Sequence, residues 1–337
     1  MSACPEVSVL LPCRDAQDTV AEALHSVLAE REVALEVIAV DDGSRDESAR
    51  VIAAIASADA RIRVVRTGGV GIARALQVAA DTARAPLLAR MDADDVSLPG
   101  RLRAQVEALR ADATLAAIGT RVEAFPEHVV AEGLRKYVSW QNTLLAAADH
   151  RRQLFVESPL CHPSVMLRAD ALARVGGYRD GPYPEDYDLW LRLDAAGFAL
   201  AKLPAVLLRW RHRSERATLC DPRYARERFV ALKAPHLARR LATDPRPIDI
   251  WGAGPTGKQL ARALEPHGIR AARFIDIDPR KIGGIARGAP VVAPAQLHAP
   301  GDHWVVVALG ARGARDLARA ALDELGHREG EDYLCAS

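Results

Sequence analysis

The stretch 87-LLARMDADDVSLPGR-101 joins an apolar run to a group of three carboxylates. Residues 87–91 have the composition of a buried strand, and Asp92, Asp94 and Asp95 follow directly. Carboxylates this close repel one another unless positive charge lies among them. Because residues two apart on a strand point the same way, Asp92 and Asp94 are placed to share one cation. Hard oxygen ligands suit Mg²⁺ or Mn²⁺, so the stretch predicts a divalent metal site. A solvated acidic loop is the alternative.

Strands and helices alternate through the first hundred residues. The predicted strands are residues 7–12, 36–40, 62–65 and 87–91, and a helix is predicted over 73–82. Thr19-x-x-Glu22 and Ser44-x-x-Glu47 have the spacing of capping boxes that begin two more helices. This alternation predicts an α/β fold with a mostly parallel sheet flanked by helices. In such sheets ligands bind beyond the carboxyl ends of the strands.

A second acidic cluster, 41-DDGS-44, ends the second predicted strand. The two acidic clusters are therefore expected to converge on one crevice. Helix capping by Asp and Ser, with Gly as the turn residue, is an alternative of equal weight. A third element, 183-YPEDYDLWLRL-193, has an acidic first turn. It is either functional or an ordinary helix whose Glu185 and Asp186 favour the helix dipole while Trp190 packs in the core.

Composition predicts a globular protein of two domains. The chain has 337 residues, 49% hydrophobic and 26% charged, and its 45 basic and 44 acidic residues leave no charge excess that indicates nucleic acid as a partner. Five scattered cysteines without a CxxC pair argue against disulfides or structural zinc and fit a reducing cytosol. With no secretory signal and no apolar run of about 20 residues, we expect a cytoplasmic protein without a transmembrane segment. A peripheral position at the inner face of the membrane stays open, because a lipid-linked substrate is compatible with these features.

The strand–helix pattern stops and later restarts, which predicts three segments. They are a domain over residues 1–215, a charged helical connector over 216–245 and a small Rossmann-like domain over 246–337.

The last segment contains a glycine-rich turn. Gly252-x-Gly254-x-x-Gly257 follows a predicted strand and opens a helix, and Asp276 ends the next strand, as in dinucleotide-binding folds. Pro255 removes one amide from phosphate binding. Three interpretations remain: a sensor of a nucleotide or nucleotide sugar, a structural or oligomerisation module, and NAD-dependent chemistry.

The ordered set of motifs resembles glycosyltransferase family 2, inverting enzymes of GT-A fold that use nucleotide sugars. The resemblance covers about residues 6–215. Its motifs are VSVLLP at 7–12, VDDGSRDES at 40–48, MDADD at 91–95 with Pro99 and Arg101, CHPSVMLR at 161–168, GGY at 176–178, EDYDLWLR at 185–192 and RWRHRSERAT at 209–218. Each motif is weakly specific, and their order is the strong signal.

For the donor side, the resemblance implies roles for five residues. Pro12 and Asp42 would lie against the nucleotide base, and Asp41 would support the same turn. Asp92 would approach the ribose or the metal. Asp94 would hold the divalent ion that bridges the two phosphates.

For the acceptor side, the resemblance implies that Asp186 is the general base and that Glu185 belongs to the same substrate-binding pair. Trp190 and Arg192 would lie near the acceptor and the diphosphate. His212 would reach the metal or the diphosphate, although a solvated histidine is an equal alternative.

These assignments predict a metal-dependent transfer of a sugar from a nucleoside diphosphate sugar, favouring UDP, to a hydroxyl on a glycan, lipid-linked or cell-surface polysaccharide precursor. A carboxylate base and a metal are the groups that an inverting displacement requires. Two alternatives remain. One is an NAD(P)-dependent oxidoreductase that acts on a sugar nucleotide through the C-terminal domain, and the other is a nucleotide-binding regulator with a degenerate transferase domain.

Overall fold

The structure, a computed structural model, describes residues 4–212, 221–311 and 313–337. It divides into two compact units. Unit 1 comprises residues 1–151 and 159–224, and unit 2 comprises residues 152–158 and 225–337. Each unit is built on its own sheet, and the predicted α/β class with a second, smaller α/β part is confirmed. The helix of the predicted connector, Arg226–Leu241, groups with unit 2.

Unit 1 contains an eight-stranded sheet of order β3-β2-β1-β4-β7-β6-β8-β5. Its strands are β1 Val7–Cys13, β2 Leu35–Asp42, β3 Ile62–Thr67, β4 Leu87–Arg90, β5 Val96–Ser97, β6 Leu115–Phe125, β7 Met166–Arg168 and β8 Ala199–Arg211. The first four strands are parallel neighbours, and β7 runs antiparallel to both β4 and β6. The central strands β1, β2 and β4 are buried along their whole length, which accounts for their mostly apolar sequence.

Eight helices accompany this sheet among the described residues. They are α1 Val20–Leu28, α2 Ser48–Ala58, α3 Ile72–Thr82, α4 Arg101–Ala111, α5 Glu132–Thr143, α6 Ala147–Gln153, α7 Ala169–Arg174 and α8 Glu185–Ala195. The apolar faces of α1 and α4 pack with β1 and β2 in one core that includes Leu24, Leu102 and Val106.

Neither predicted capping box forms. Thr19 is the N-cap of α1 but makes no side-chain cap hydrogen bond, and Glu22 instead binds the Arg211 guanidinium. Helix α2 begins four residues after Ser44, whose hydroxyl accepts a hydrogen bond from the Asp15 N–H at 3.1 Å. Contacts between distant segments replaced the local caps in both cases.

Unit 2 contains a six-stranded sheet of order β11-β12-β10-β9-β13-β14. Its strands are β9 Ile248–Trp251, β10 Ala271–Ile275, β11 Ile285–Ala286, β12 Ala289–Val292, β13 Trp304–Val307 and β14 Tyr333–Cys335. All neighbours are parallel except β11 and β12. Its helices are α9 Arg226–Leu241, α10 Pro255–Leu264 and α11 Ala314–Glu324.

The described residues bear on two features of the sequence, its cysteines and its apolar segments. Four cysteines (Cys4, Cys13, Cys161 and Cys335) are free thiols, while Cys220 lies outside the described residues. Of the helices that the structure describes, none combines the length and apolar character needed to cross a bilayer.

Candidate active site

The acidic turn, residues 92–95, follows β4 directly. One ligand oxygen from each of Asp92, Asp94 and Asp95 lies within 4.8 Å of the others. Asp92 and Asp94 are half-buried, and Asp95 is only 1% exposed. The end of β8 fixes the turn, because the Arg211 N–H donates to Asp95 Oδ1 at 2.7 Å and Arg211 Nε donates to the Asp94 carbonyl at 2.6 Å. The donor set of clustered carboxylates fits Mg²⁺ or Mn²⁺.

Two buried arginines lie behind the acidic turn. Arg90, 2% exposed, donates to Asp92 Oδ1 at 2.5 Å, and Arg101, 1% exposed, donates to the carbonyls of Pro163 at 2.8 Å and Arg90 at 3.2 Å. Burial lowers the pKa of Arg101 to about 10, and the charge of Asp95 opposes that shift. The chain therefore supplies part of the positive charge that these carboxylates require. Sequence reasoning missed this role of the two arginines, although Arg90 stands beside the motif.

The first acidic cluster lies at the same sheet edge, since β1, β2 and β4 are parallel neighbours. Asp42, 4% exposed, accepts hydrogen bonds from Thr67 Oγ1 at 2.6 Å, Val70 N–H at 2.7 Å and Gly71 N–H at 2.9 Å. Burial opposes ionisation, but these donors hold the pKa of Asp42 below its ordinary value. Asp42 thus anchors the loop before α3 as an anion.

The other two residues predicted near the base are also buried. Asp41 Oδ1 accepts the Ser44 N–H at 3.2 Å, which closes the turn after β2. Pro12 lies inside β1 opposite Val40 of β2. The contacts of Pro12, Asp41 and Asp42 with a base stay predictions.

Glu185 and Asp186, the two carboxylates at the start of α8, lie in different environments. Glu185, 5% exposed, lies 3.4 Å from His162 Nδ1 through Oε1 and accepts the Tyr224 hydroxyl at 3.2 Å through Oε2. Burial opposes ionisation, but His162 and the charge of Arg90 hold the pKa of Glu185 below its usual range. Asp186 is half-buried and its Oδ1 accepts the Tyr187 N–H at 2.7 Å. Glu185 is therefore an enclosed anchor, and Asp186 is the member that solvent reaches.

The structure places Trp190 and Arg192 in the core. Trp190 is fully buried, with its ring edge-on to His162 at a centroid distance of 5.8 Å. Arg192, 8% exposed, donates to Asp188 Oδ2 at 2.8 Å and to the Val175 carbonyl at 2.7 Å. Both side chains pack within unit 1, and their contacts with a substrate stay predictions.

His212 follows β8 and is half-buried, and its backbone N–H donates to the Phe125 carbonyl at 2.7 Å. It stands one residue beyond Arg211, which contacts the acidic turn, but among the described residues it does not join the group of clustered carboxylates. Its metal contact stays a prediction. Residues 213–218 of the late motif lie outside the described residues.

Gln77 of α3 contacts the segment that precedes α8. Its Oε1 accepts the Tyr178 N–H at 2.7 Å, and a Cβ on Gly177, whose φ is +70°, would lie only 2.2 Å from that oxygen. Gln77 and Tyr178 line an open pocket of about 540 Å³ together with Arg74 and Arg179. The segment before α8 is thereby held against α3.

In unit 2, packing explains two of the three motif glycines. A Cβ on Gly257 would lie 1.8 Å from the Gly252 carbonyl oxygen, and one on Gly252 would lie 2.4 Å from the Ala308 carbonyl oxygen. A Cβ on Gly254 would meet nothing within 4 Å. Glycine is therefore required at 252 and 257, because β9, α10 and the chain after β13 approach one another closely there.

Asp276, the acid expected at a ribose, is engaged within unit 2. Its Oδ2 accepts the Ala253 N–H at 2.9 Å and lies 3.0 Å from Lys281 Nζ, and its Oδ1 accepts the Asp278 N–H at 2.9 Å. Burial opposes ionisation, but these donors lower the pKa of Asp276. Asp276 therefore stabilises the turn after β9 as an anion, and its contact with a ribose stays a prediction.

The comparisons with solved structures agree with the fold of unit 1. The structure of Staphylococcus aureus TarS 1–349 in complex with UDP-GlcNAc superimposes with a TM-score of 0.54 at 16% identity, covering 78% of this chain and 72% of that one. The mannosyltransferase PcManGT from Pyrobaculum calidifontis, in complex with GDP-Man and Mn²⁺, superimposes with a TM-score of 0.51 at 18% identity, covering 78% and 69%. The fold is that of a GT-A glycosyltransferase.

Sequence comparison gives the family. The sequence model of glycosyl transferase family 2 matches residues 8–176, half of the chain. The putative glycosyltransferase EpsE of Bacillus subtilis (strain 168) is 30% identical over 220 residues, 64% of this chain and 76% of EpsE. UDP-Gal:alpha-D-GlcNAc-diphosphoundecaprenol beta-1,3-galactosyltransferase of Escherichia coli is 28% identical over 148 residues, 44% of this chain and 52% of that protein. The chain belongs to glycosyltransferase family 2, whose members invert the anomeric centre.

Proposed function

We propose that this chain transfers a sugar from a UDP-sugar to a hydroxyl acceptor and depends on Mg²⁺ or Mn²⁺. The observation that carries the proposal is the cluster of Asp92, Asp94 and Asp95, whose ligand oxygens lie within 4.8 Å of one another at the edge that β1, β2 and β4 share. In open α/β sheets ligands bind beyond the carboxyl ends of the strands. These carboxylates therefore lie where a GT-A transferase would bind a metal and a diphosphate.

The donor assignment draws support from similar proteins. TarS is seen with UDP-GlcNAc, PcManGT with GDP-Man and Mn²⁺, and the E. coli relative is named for UDP-Gal. In this chain Asp94, with Asp92, would hold the ion. A bound divalent ion neutralises the charge that develops on a leaving diphosphate.

The base assignment follows from the environment of the Glu-Asp pair. Asp186 takes the proton of the acceptor hydroxyl while the acceptor oxygen bonds to the anomeric carbon and the bond from that carbon to the diphosphate breaks. Glu185, held by His162 and Tyr224, keeps the first turn of α8 in place. A single displacement of this kind needs no enzyme nucleophile.

The acceptor class is a glycan, either lipid-linked or part of a cell-surface polysaccharide precursor. Its support is the name of the E. coli relative, which specifies a sugar on diphosphoundecaprenol. A cytoplasmic enzyme working at the inner face of the membrane fits such an acceptor.

A donor screen tests the proposal. UDP- and GDP-sugars are incubated with the full chain and Mn²⁺ or EDTA, with and without a crude lipid-linked oligosaccharide fraction, and nucleotide release is measured. We expect release from a UDP-sugar that requires metal and is lost in Asp94→Asn. UDP binding without release from any donor would support the nucleotide-binding regulator instead, and metal-independent release would contradict the metal assignment.

A further inference from the structure

An open pocket of about 540 Å³ lies where α3 meets the segment of residues 178–184 that precedes α8. Both elements supply side chains to its walls, among them Arg74, Gln77, Tyr178, Arg179 and Tyr183. None of the described residues that line it belongs to either acidic cluster. The pocket is therefore distinct from the carboxylates proposed to hold the donor.

The backbone holds the Arg179 guanidinium at this pocket. Arg179 Nη2 donates to the Val175 carbonyl at 3.2 Å, and a Cβ on Gly176, whose φ is +81°, would lie 3.0 Å from the same nitrogen. Glycine at 176 thus leaves room for the guanidinium. The Arg179 side chain is exposed, and no carboxylate in the part of the chain that the structure describes pairs with it within 4.0 Å. Its positive charge is therefore available to a ligand.

Arg74 adds a second guanidinium to the lining. Its Nε lies 3.3 Å from Asp180 Oδ2, and Asp180 is shared with Arg223, whose Nη1 lies 4.0 Å from the other carboxylate oxygen. The described charged residues of the lining are two arginines and one aspartate, which leaves an excess of one positive charge. Guanidinium groups bind carboxylate and phosphate oxygens through paired, charge-assisted hydrogen bonds. The lining therefore fits an anion.

Tyr183 gives the pocket an aromatic wall close to the proposed base. Its half-buried ring lies against the backbone of Gly181, where a Cβ would come within 2.4 Å of the ring carbons Cε1 and Cζ. Such a ring offers an apolar face and a hydroxyl to a sugar. Tyr183 stands three residues before Asp186, and three residues span at most about 11 Å. An acceptor whose hydroxyl lies at Asp186 can therefore extend into the pocket.

We propose that the pocket lined by Arg74, Arg179 and Tyr183 binds an anionic group of the acceptor, a phosphate or a carboxylate that is attached to its sugar. The identification of the ligand as the acceptor rests on the proposed function, in which Asp186 takes the acceptor's proton. A phosphate would belong to a lipid-linked acceptor and a carboxylate to an acidic glycan. The two share the charge that the guanidiniums recognise.

A saturation-transfer NMR titration of the full chain in EDTA tests the pocket without donor or metal. The probes are glucose 1-phosphate, glucuronate and methyl glucoside, which share one ring and differ in charge. We expect one or both anions to bind at least about tenfold more tightly than methyl glucoside, because a hydrogen bond to a charged group contributes about that factor. The tighter anion identifies the acceptor as phosphorylated or acidic.

Two results of this titration would overturn the proposal. The first is that neither anion binds more tightly than methyl glucoside. The second is that UDP, added in EDTA, displaces the bound anion, because the pocket would then belong to the donor.

Variants assign the binding to the pocket. Arg179→Gln should weaken binding of the anion about tenfold and leave binding of methyl glucoside unchanged. The matched control is Arg103→Gln, an arginine 51% exposed that pairs with Glu32 at 3.0 Å, and it should change neither. If Arg179→Gln does not fold, Arg74→Gln provides the same comparison at a side chain 67% exposed. Equal losses for the charged and the neutral probe would indicate a structural role and overturn the proposal.

Kinetics provides the last readout. In the transfer reaction Arg179→Gln should raise the KM for the acceptor about tenfold and leave kcat within about threefold of wild type, as expected when binding energy common to ground state and transition state is lost. An unchanged KM for the acceptor would contradict the assignment. Wild-type chain that transfers sugar from no donor would refute the proposed function, and the anion titration would still decide whether the pocket binds an anion.

Discussion

At the scale of single residues, the division between Glu185 and Asp186 has a direct consequence. Asp186→Asn should lower turnover by at least about 10²-fold, because an amide does not accept the acceptor's proton. UDP affinity should stay within about threefold of wild type, since no step of donor binding needs that proton. The control is Asp170→Asn, an exposed aspartate in the first turn of α7. Steady-state kinetics and UDP titration check both statements, and unchanged turnover would remove Asp186 as the base.

The sequence identified the carboxylates but not the cations that accompany them. Asp92, Asp94 and Asp186 stand in short motifs that are readable locally. The role of Arg101 depends on the Pro163 carbonyl, 62 residues away in the chain. Such compensation of charge by distant segments has no local signal, and neither does the burial of Trp190 and Arg192, whose substrate contacts stay predictions.

At the scale of secondary-structure elements, α8 owes its position to packing of its apolar side. Trp190→Ala should reduce the free energy of unfolding by about 3–5 kcal/mol, as for other fully buried large side chains. Trp190→Phe should cost less and retain UDP binding, because the indole has no exposed surface for a ligand. Urea unfolding and UDP titration of the two variants are the measurements. Loss of UDP binding in a stable Trp190→Phe variant would show that Trp190 contributes to substrate binding.

The glycine turn of unit 2 offers a matched pair of substitutions. Gly257→Ala should destabilise unit 2, because its Cβ would lie 1.8 Å from the Gly252 carbonyl oxygen. Gly254→Ala should be tolerated, since that Cβ meets nothing within 4 Å and the residue has an extended backbone. Thermal unfolding followed by circular dichroism compares the stabilities of the two variants. If the wild type bound NAD in a titration and Gly254→Ala abolished that binding, the dinucleotide interpretation would be supported.

The sequence was sufficient to predict which segments form strands and which form helices. It was not sufficient to predict the interactions at the residues where the helices begin. The strands and the helix over 73–82 were placed within a few residues by apolar runs and periodicity. The capping boxes failed because Ser44 and Glu22 have partners in Asp15 and Arg211, which no local pattern contains.

At the scale of the whole molecule, one buried ammonium group makes stability depend on pH. Burial lowers the pKa of Lys202 to about 7, against about 10.4 in an unfolded chain. Between these values the unfolded state binds more protons, so this residue's contribution to the free energy of unfolding rises with pH, by at most about 1.4 kcal/mol per pH unit. Cys13, whose pKa burial raises to about 12, acts in the opposite direction at higher pH, so the useful window is about pH 7 to 8.5.

The pH dependence of the free energy of unfolding should differ between wild type and Lys202→Met. The wild-type free energy of unfolding should rise relative to that of the variant as pH increases from 7 to 8.5, because a methionine cannot titrate. Urea titrations at the two pH values measure this difference. A difference that does not change with pH would show that Lys202 keeps its proton in the folded chain.

The strand–helix alternation of the sequence predicts the two α/β parts of the molecule. The inclusion of residues 152–158 in unit 2 was not predictable. Phe155 provides a carbonyl for the buried Lys233 of α9 at 2.8 Å, a contact between segments 78 residues apart.

The central claim is that the acidic turn binds a nucleotide through a divalent metal. Calorimetric titration of UDP into the full chain, with Mn²⁺ and then with EDTA, tests it most directly, with Asp94→Asn as the variant and its unfolding transition as the control for folding. We predict binding with Mn²⁺ that weakens at least about tenfold in EDTA or in Asp94→Asn. Equal UDP affinity with and without metal, or in the folded variant, would contradict it.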